Sequence, residues 1–242
     1  MGATSTPSGF EMRVTAGKEG RRLPIYLLLD CSASMEGPPL EALKEGLETF
    51  TAETKRDVLA RETVHVGVIA FQGEEAQLVP DHLVTIDDFA PPPLKAEGLT
   101  PLGAALRELA RSVDRDTKPT VKGKPPGDWK PLVYILTDGQ PTDEWQGPRR
   151  EIQDRAKQKV LNVITVGCGP GIDRPTLEAI AIGPTFYLDN QDSDTFKTFF
   201  GWVTQTAVSA SHSFEETPDA TPGDVQVAVP NPPPEVRPVL NF

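Results

Sequence analysis

Leu23-Pro24-Ile25-Tyr26-Leu27-Leu28-Leu29 runs straight into Asp30-Cys31-Ser32-Ala33-Ser34, and Pro38-Pro39 follows. A continuous apolar run of this kind reads as a strand buried on both faces, the pattern of a parallel sheet. Prolines suit the first turn of a helix. Beyond them Leu40, Leu43, Leu47 and Phe50 repeat at 3- and 4-residue spacing on one helical face. One carboxylate and two hydroxyls therefore sit on the loop at the carboxyl end of a buried strand, where open α/β sheets bind ligands. An all-oxygen set of low charge suits a hard cation such as Mg²⁺ rather than a thiolate-loving ion.

Two further stretches end at the same edge. Gly98-Leu99-Thr100-Pro101-Leu102-Gly103 puts a hydroxyl just before another helix, and Val133-Tyr134-Ile135-Leu136-Thr137-Asp138-Gly139 ends a second apolar strand in Asp-Gly. Each polar residue alone has a plainer use. Thr100 and Ser34 are helix caps by type, Asp138 before glycine suits a turn, and Asp30 could satisfy backbone donors. In this order and spacing, however, strand-Asp, loop-Thr and strand-Asp resemble a von Willebrand factor A (VWA) domain over roughly residues 20–210.

The resemblance implies a doubly wound, Rossmann-like α/β fold: a mostly parallel six-stranded sheet with one antiparallel edge strand and helices on both faces. It also implies a metal-ion-dependent adhesion site (MIDAS). There Asp30, Ser32, Ser34, Thr100 and Asp138 hold Mg²⁺, or Mn²⁺ in its place, and an Asp or Glu of a protein partner completes the coordination. Where some relatives carry an acidic pair for a second ion, this chain has Met35 and Glu36. The loops Met35–Pro39, Phe89–Leu99 and Gly139–Gln146 would form the rim, with Met35 and Trp145 as its apolar members. Within the family, Leu29–Gly37, Gly98–Gly103 and Leu136–Asp143 resemble bacterial TerY-like proteins of tellurium-resistance and stress systems. That narrower likeness implies an adaptor working beside a Ser/Thr kinase and a PP2C-type phosphatase.

Outward from these motifs, Val64–Phe71 reads as a buried strand and Ala76–Thr85 as an antiparallel edge strand, where Pro80 is tolerated. A helix from Pro101 turns Leu102, Ala105, Leu106, Leu109 and Val113 inward, and polar Thr117–Lys130 reads as an exposed loop. Further strands are expected at Leu132–Thr137, Val160–Val166 and Phe186–Leu188. Helices are expected at Gly147–Lys159, after a cap at Asp173, and from Asp192 or Ser193 through Val208. Residues 1–20 read as a flexible arm and 21–210 as the domain. In the remainder, 211–242, seven prolines and an acid-to-base ratio of five to one over 213–242 predict a disordered tail. Its end, Val236–Phe242, is apolar enough to be a docking peptide.

A net charge of −11 argues against nucleic acid and anionic membrane as partners. No apolar stretch approaches the ~20 residues of a membrane-spanning helix, and Met1–Gly20 lacks the apolar core of a signal peptide. Met1–Thr6 fits the loose myristoylation pattern, but its composition suits a flexible start. Cys31 and Cys168 follow strands that the fold would place ~9–10 Å apart, beyond the ~7 Å a disulfide spans. Two free thiols point to a reducing compartment, the cytoplasm. A phosphohydrolase using the same ion would need a nucleophile or base beside the ligands, and none is evident. A dehalogenase-type phosphatase would carry Asp at Ser32, and a dinucleotide site would place glycine within Asp30–Ser34. His65, His82 and His212 lack triad partners. A non-enzymatic adaptor is therefore expected, with a metal-dependent phosphohydrolase and a metal-independent structural adaptor as the alternatives.

Overall fold

The computed structural model describes residues 21–121, 124, 126–172, 174–216 and 230–239. The arm at 1–20, the cap at Asp173 and the rest of the tail lie outside these residues. Seven strands form one sheet: β1 (Leu23–Asp30), β2 (Val64–Gln72), β3 (Glu75–Thr85), β4 (Leu132–Thr137), β5 (Asn162–Cys168), β6 (Thr185–Leu188) and β7 (Val236–Pro238). Their spatial order is β3-β2-β1-β4-β5-β6-β7. The four inner pairings are parallel, whereas β3 on β2 and β7 on β6 are antiparallel. The helices are α1 (Pro38–Thr54), α2 (Val58–Thr63), α3 (Leu102–Asp116), α4 (Gln146–Lys157), α5 (Arg174–Ile180) and α6 (Ser193–Glu216).

Every residue of β1 is buried, because alternate side chains serve two different cores. Ile25, Leu27 and Leu29 pack with Leu43, Leu47 and Phe50 of α1 and with Phe196, Phe199 and Trp202 of α6. Tyr26 and Leu28 pack with Leu102, Leu106 and Leu109 of α3, Ile152 of α4 and Leu177 of α5. Each such side chain contributes about 1.5–3 kcal/mol when fully buried, which anchors the strand that ends in Asp30 on both faces.

The structure departs from the sequence reading in five places. The sheet has seven strands rather than six, and both of its edges are antiparallel. The seventh strand comes from the stretch expected to stay unordered, because Val236 and Val239 find apolar neighbours beside β6. α6 runs to Glu216, past the expected end at Val208 and the expected domain limit at 210. The polar Thr117–Lys130 stretch is not wholly exposed: Asp128 and Trp129 are buried. There Arg22 Nε donates to Asp128 Oδ1 at 2.9 Å, and the Trp129 N–H donates to the Arg22 carbonyl at 2.8 Å. Finally, α2 carries no long periodic signal, yet Asp57 caps it by accepting the Ala60 N–H at 2.9 Å. Pro80 is accommodated where the β2–β3 ladder breaks, between the paired Val79 and Val84.

Candidate metal centre

The chain leaves β1 for β2 on one side and later returns to β4 on the other. The carboxyl ends of β1 and β4 therefore flank the crevice where connections diverge. Asp30 closes β1, and Asp138 directly follows β4. Thr137 Oγ1 donates to Asp30 Oδ2 at 2.6 Å, and the Ser32 N–H donates to Asp30 Oδ1 at 2.9 Å. Ser34 Oγ donates to Asp138 Oδ1 at 2.7 Å and lies 2.9 Å from Ser32 Oγ. Gln191 Nε2, just ahead of α6, donates to Asp138 Oδ2 at 3.0 Å. The bend that brings the two serine hydroxyls together is held by two backbone bonds to the Glu97–Gly98 stretch. The Ala33 N–H donates to the Gly98 carbonyl and the Glu97 N–H to the Cys31 carbonyl, each at 3.0 Å.

Thr100 does not cap α3. Pro101 holds the cap position with no side-chain bond. The first turn is served instead by Asp143, which accepts the Gly103 and Ala104 N–H groups at 2.8 Å each. Thr142 fixes Thr100 itself: its Oγ1 accepts the Thr100 N–H at 3.1 Å, and its own N–H donates to the Thr100 carbonyl at 3.0 Å. Gly103 makes this approach feasible, since a Cβ there would stand 2.0 Å from the Glu144 carbonyl. The Thr100 hydroxyl is left for the crevice. A Cβ built on Gly139 would lie 3.4 Å from Thr100 Oγ1 and 4.0 Å from Ser34 Oγ, so the absent side chain leaves a small space between these hydroxyls.

Asp30 and Asp138 are 1% and 2% exposed, and among the described residues no Lys, Arg or His pairs with either. Burial raises the Asp30 carboxyl to about 6; the Thr137 and Ser32 hydrogen bonds oppose the shift and neighbouring Asp138 adds to it. Two buried carboxylates without a counter-cation are costly to the fold. Their surroundings fit a hard divalent cation: two carboxylates and three hydroxyls converge on a space kept open by a glycine. Among the described residues no group of three or more His, Cys, Asp or Glu side chains is set to hold an ion, so this donor set depends on its hydroxyls.

The five residues singled out from the sequence thus come together. Thr137, Thr142, Asp143 and Gln191 had not been singled out. Thr137 ends an apolar strand, and neither Gln191 nor Thr142-Asp143, the acceptors for a helix start forty residues away, leaves a local pattern. The expected rim needs correction. Met35 is buried and accepts a hydrogen bond from Gln191 at Sδ, 3.5 Å away. Trp145 packs against the core on the α3 side. The exposed apolar side chain next to the site is Leu99, 53% accessible. Cys31 and Cys168 are free and buried. Burial pushes the Cys31 thiol up to about 12 and the Cys168 thiol well above its ordinary value.

A sequence profile of the von Willebrand factor type A domain matches residues 25–202, and the chain belongs to that family. An uncharacterised protein of Synechocystis is 26% identical over 208 residues, 81% of this chain and 46% of its own length. The chain thus spans about half of that relative. Among solved structures, a von Willebrand factor type A protein from Catenulispora acidiphila superposes with a TM-score of 0.60 at 20% identity, over 78% of this chain and 43% of that one. Proximal thread matrix protein 1 from the mussel byssus, in a form with a zinc-occupied MIDAS motif, gives 0.52 at 17%, over 78% and 46%. These likenesses establish the fold. No described helix is long and apolar enough to cross a membrane.

Proposed function

We propose that this chain is a metal-dependent protein-binding module, with Asp30, Ser32, Ser34, Thr100 and Asp138 holding Mg²⁺, or Mn²⁺ in its place. The observation that carries the reading is the pair of buried carboxylates without a cationic partner among the described residues, facing three hydroxyls. The zinc-occupied MIDAS motif of the mussel protein supports it by analogy of fold. When bound, the ion would offer a position to an Asp or Glu carboxylate of a partner protein. Thr137 and the Ser32 N–H orient Asp30, Gln191 orients Asp138, and Thr142 orients Thr100. Leu99, exposed beside Thr100, supplies an apolar contact at the rim. Losing the partner's carboxylate should cost on the order of 2–5 kcal/mol.

We propose further that the module is not an enzyme. Two features support this: the buried thiols are held protonated, and His65 and His82 lie toward the far end of the sheet, where β2 begins. The loop likeness to TerY-like proteins supports a kinase- and phosphatase-linked stress or tellurium-resistance setting, and the free thiols support a cytoplasmic one. The test is partner capture from the native cell in Mg²⁺ and in EDTA, with Asp138→Ala as control. Partners should be retained by the native chain in Mg²⁺ alone. Partners indifferent to both metal and substitution would refute the binding reading. Phosphoester turnover that survives purification and vanishes in Asp30→Ala would refute the non-enzymatic one.

A further inference from the structure

We propose that the outer edge of β6 is a peptide-binding site whose resident ligand is the chain's own segment 230–239. A partner's extended peptide of the pattern apolar–basic–proline–apolar would take the same place. β7 pairs Val236 with Leu188, Arg237 with Tyr187 and Pro238 with Phe186, and the Val239 N–H donates to the Thr185 carbonyl at 2.9 Å. The two valines anchor on opposite faces of the sheet. Val236, 1% exposed, joins the core under α1 and α6, and Val239, 9% exposed, joins the core under α3–α5. Between them Arg237 reaches Asp189 at 2.6 Å, and upstream the Pro230 carbonyl accepts Trp202 Nε1 at 2.8 Å.

These contacts define what the edge recognises. Antiparallel pairing turns alternate N–H groups toward the neighbouring strand. The N–H of Val239 faces β6, so position 238 faces away and tolerates proline. The outward N–H of Val236 is taken up by the Pro233 carbonyl at 2.9 Å. With one outward donor used and the other missing, the segment closes the sheet instead of extending it. It behaves as a short bound peptide, added by the strand-augmentation mode in which backbone bonds give affinity and side-chain pockets give selectivity. Thirteen residues, 217–229, join α6 to Pro230 in sequence, so the resident peptide is covalently attached and competes intramolecularly with any added peptide.

The test uses the full chain in EDTA, so the ion site plays no part. A fluorescein-labelled peptide of residues 230–239 is titrated against the native chain and against the full-length Val236→Asp variant, whose own segment cannot bury an aspartate. Anisotropy should show saturable binding to the variant, at least about tenfold tighter than to the native chain, where the tether competes. A peptide carrying Arg237→Glu should bind the variant about two- to fivefold more weakly. A folded variant that does not bind the labelled peptide, or equal binding to both chains, would overturn the proposal. Should Val236→Asp fail to fold, a protease site is placed within 217–229 of the native chain. After cleavage the tail fragment should co-elute with the domain and exchange for labelled peptide. A fragment that is lost without replacement, or one that never exchanges, would overturn it equally.

Discussion

Burial raises the Asp30 carboxyl to about 6 from an ordinary 3.8. An acid whose folded value lies above its unfolded value holds its proton more tightly in the fold. The metal-free chain therefore keeps this group's contribution below about pH 4 and loses it as pH rises through about 6. Asp30→Asn should accordingly stabilise the metal-free chain at pH 7, on the order of 2–3 kcal/mol, and should abolish any rise in melting temperature on adding Mg²⁺. Melting curves in EDTA and in millimolar Mg²⁺ check both signs at once; an Asn variant less stable than the native chain in EDTA would contradict this account of Asp30. Gly139→Ala separates fold from site differently. Its methyl group meets Thr100 Oγ1 at an ordinary 3.4 Å, so melting in EDTA should move by less than about 0.5 kcal/mol. The methyl fills the space between the hydroxyls, so the midpoint Mg²⁺ concentration of the melting response should rise at least about tenfold.

The elements that present the site were legible to differing degrees. β1, β4 and α3 announced themselves, because a doubly buried strand must be apolar throughout and an amphipathic helix must repeat its apolar residues. Asp30, Ser32, Ser34, Thr100 and Asp138 stood out because each is a polar residue on a loop after β1 or β4 or before α3, or at the last position of β1. The support was not legible. Asp143 caps α3 from forty residues away in sequence, and Gln191 reaches Asp138 across fifty-three; neither contact leaves a local pattern. Asp143→Ala removes an acceptor from two helix N–H groups, which should cost about 0.5–2 kcal/mol in EDTA. It should also weaken the Mg²⁺ response, because the loop bearing Thr142 loses its anchor on α3. A variant destabilised to that degree yet unchanged in its ion response would show that Thr100 is positioned without this loop. β7 was hidden for another reason: the stretch leading into it is acidic and proline-rich, and two valines, Val236 and Val239, supply its burial.

At the scale of the molecule, one sheet separates two cores, and the crevice at its carboxyl edge draws on both halves. Phe196, Phe199 and Trp202 of α6 fill the side beneath α1. Trp202→Ala should cost about 3–5 kcal/mol in denaturant melts, with the Mg²⁺ response retained in the folded fraction; loss of that response at native fold would tie the aromatic core to the site. The claim on which the rest depends is that the two carboxylates and three hydroxyls hold one divalent ion. Mn²⁺ binding followed by electron paramagnetic resonance on the full native chain tests it most directly. The account predicts one saturable site per chain, competed by Mg²⁺ and lost in both Asp30→Ala and Asp138→Ala. Binding that survives both substitutions, or no saturable binding at millimolar Mn²⁺, would contradict it.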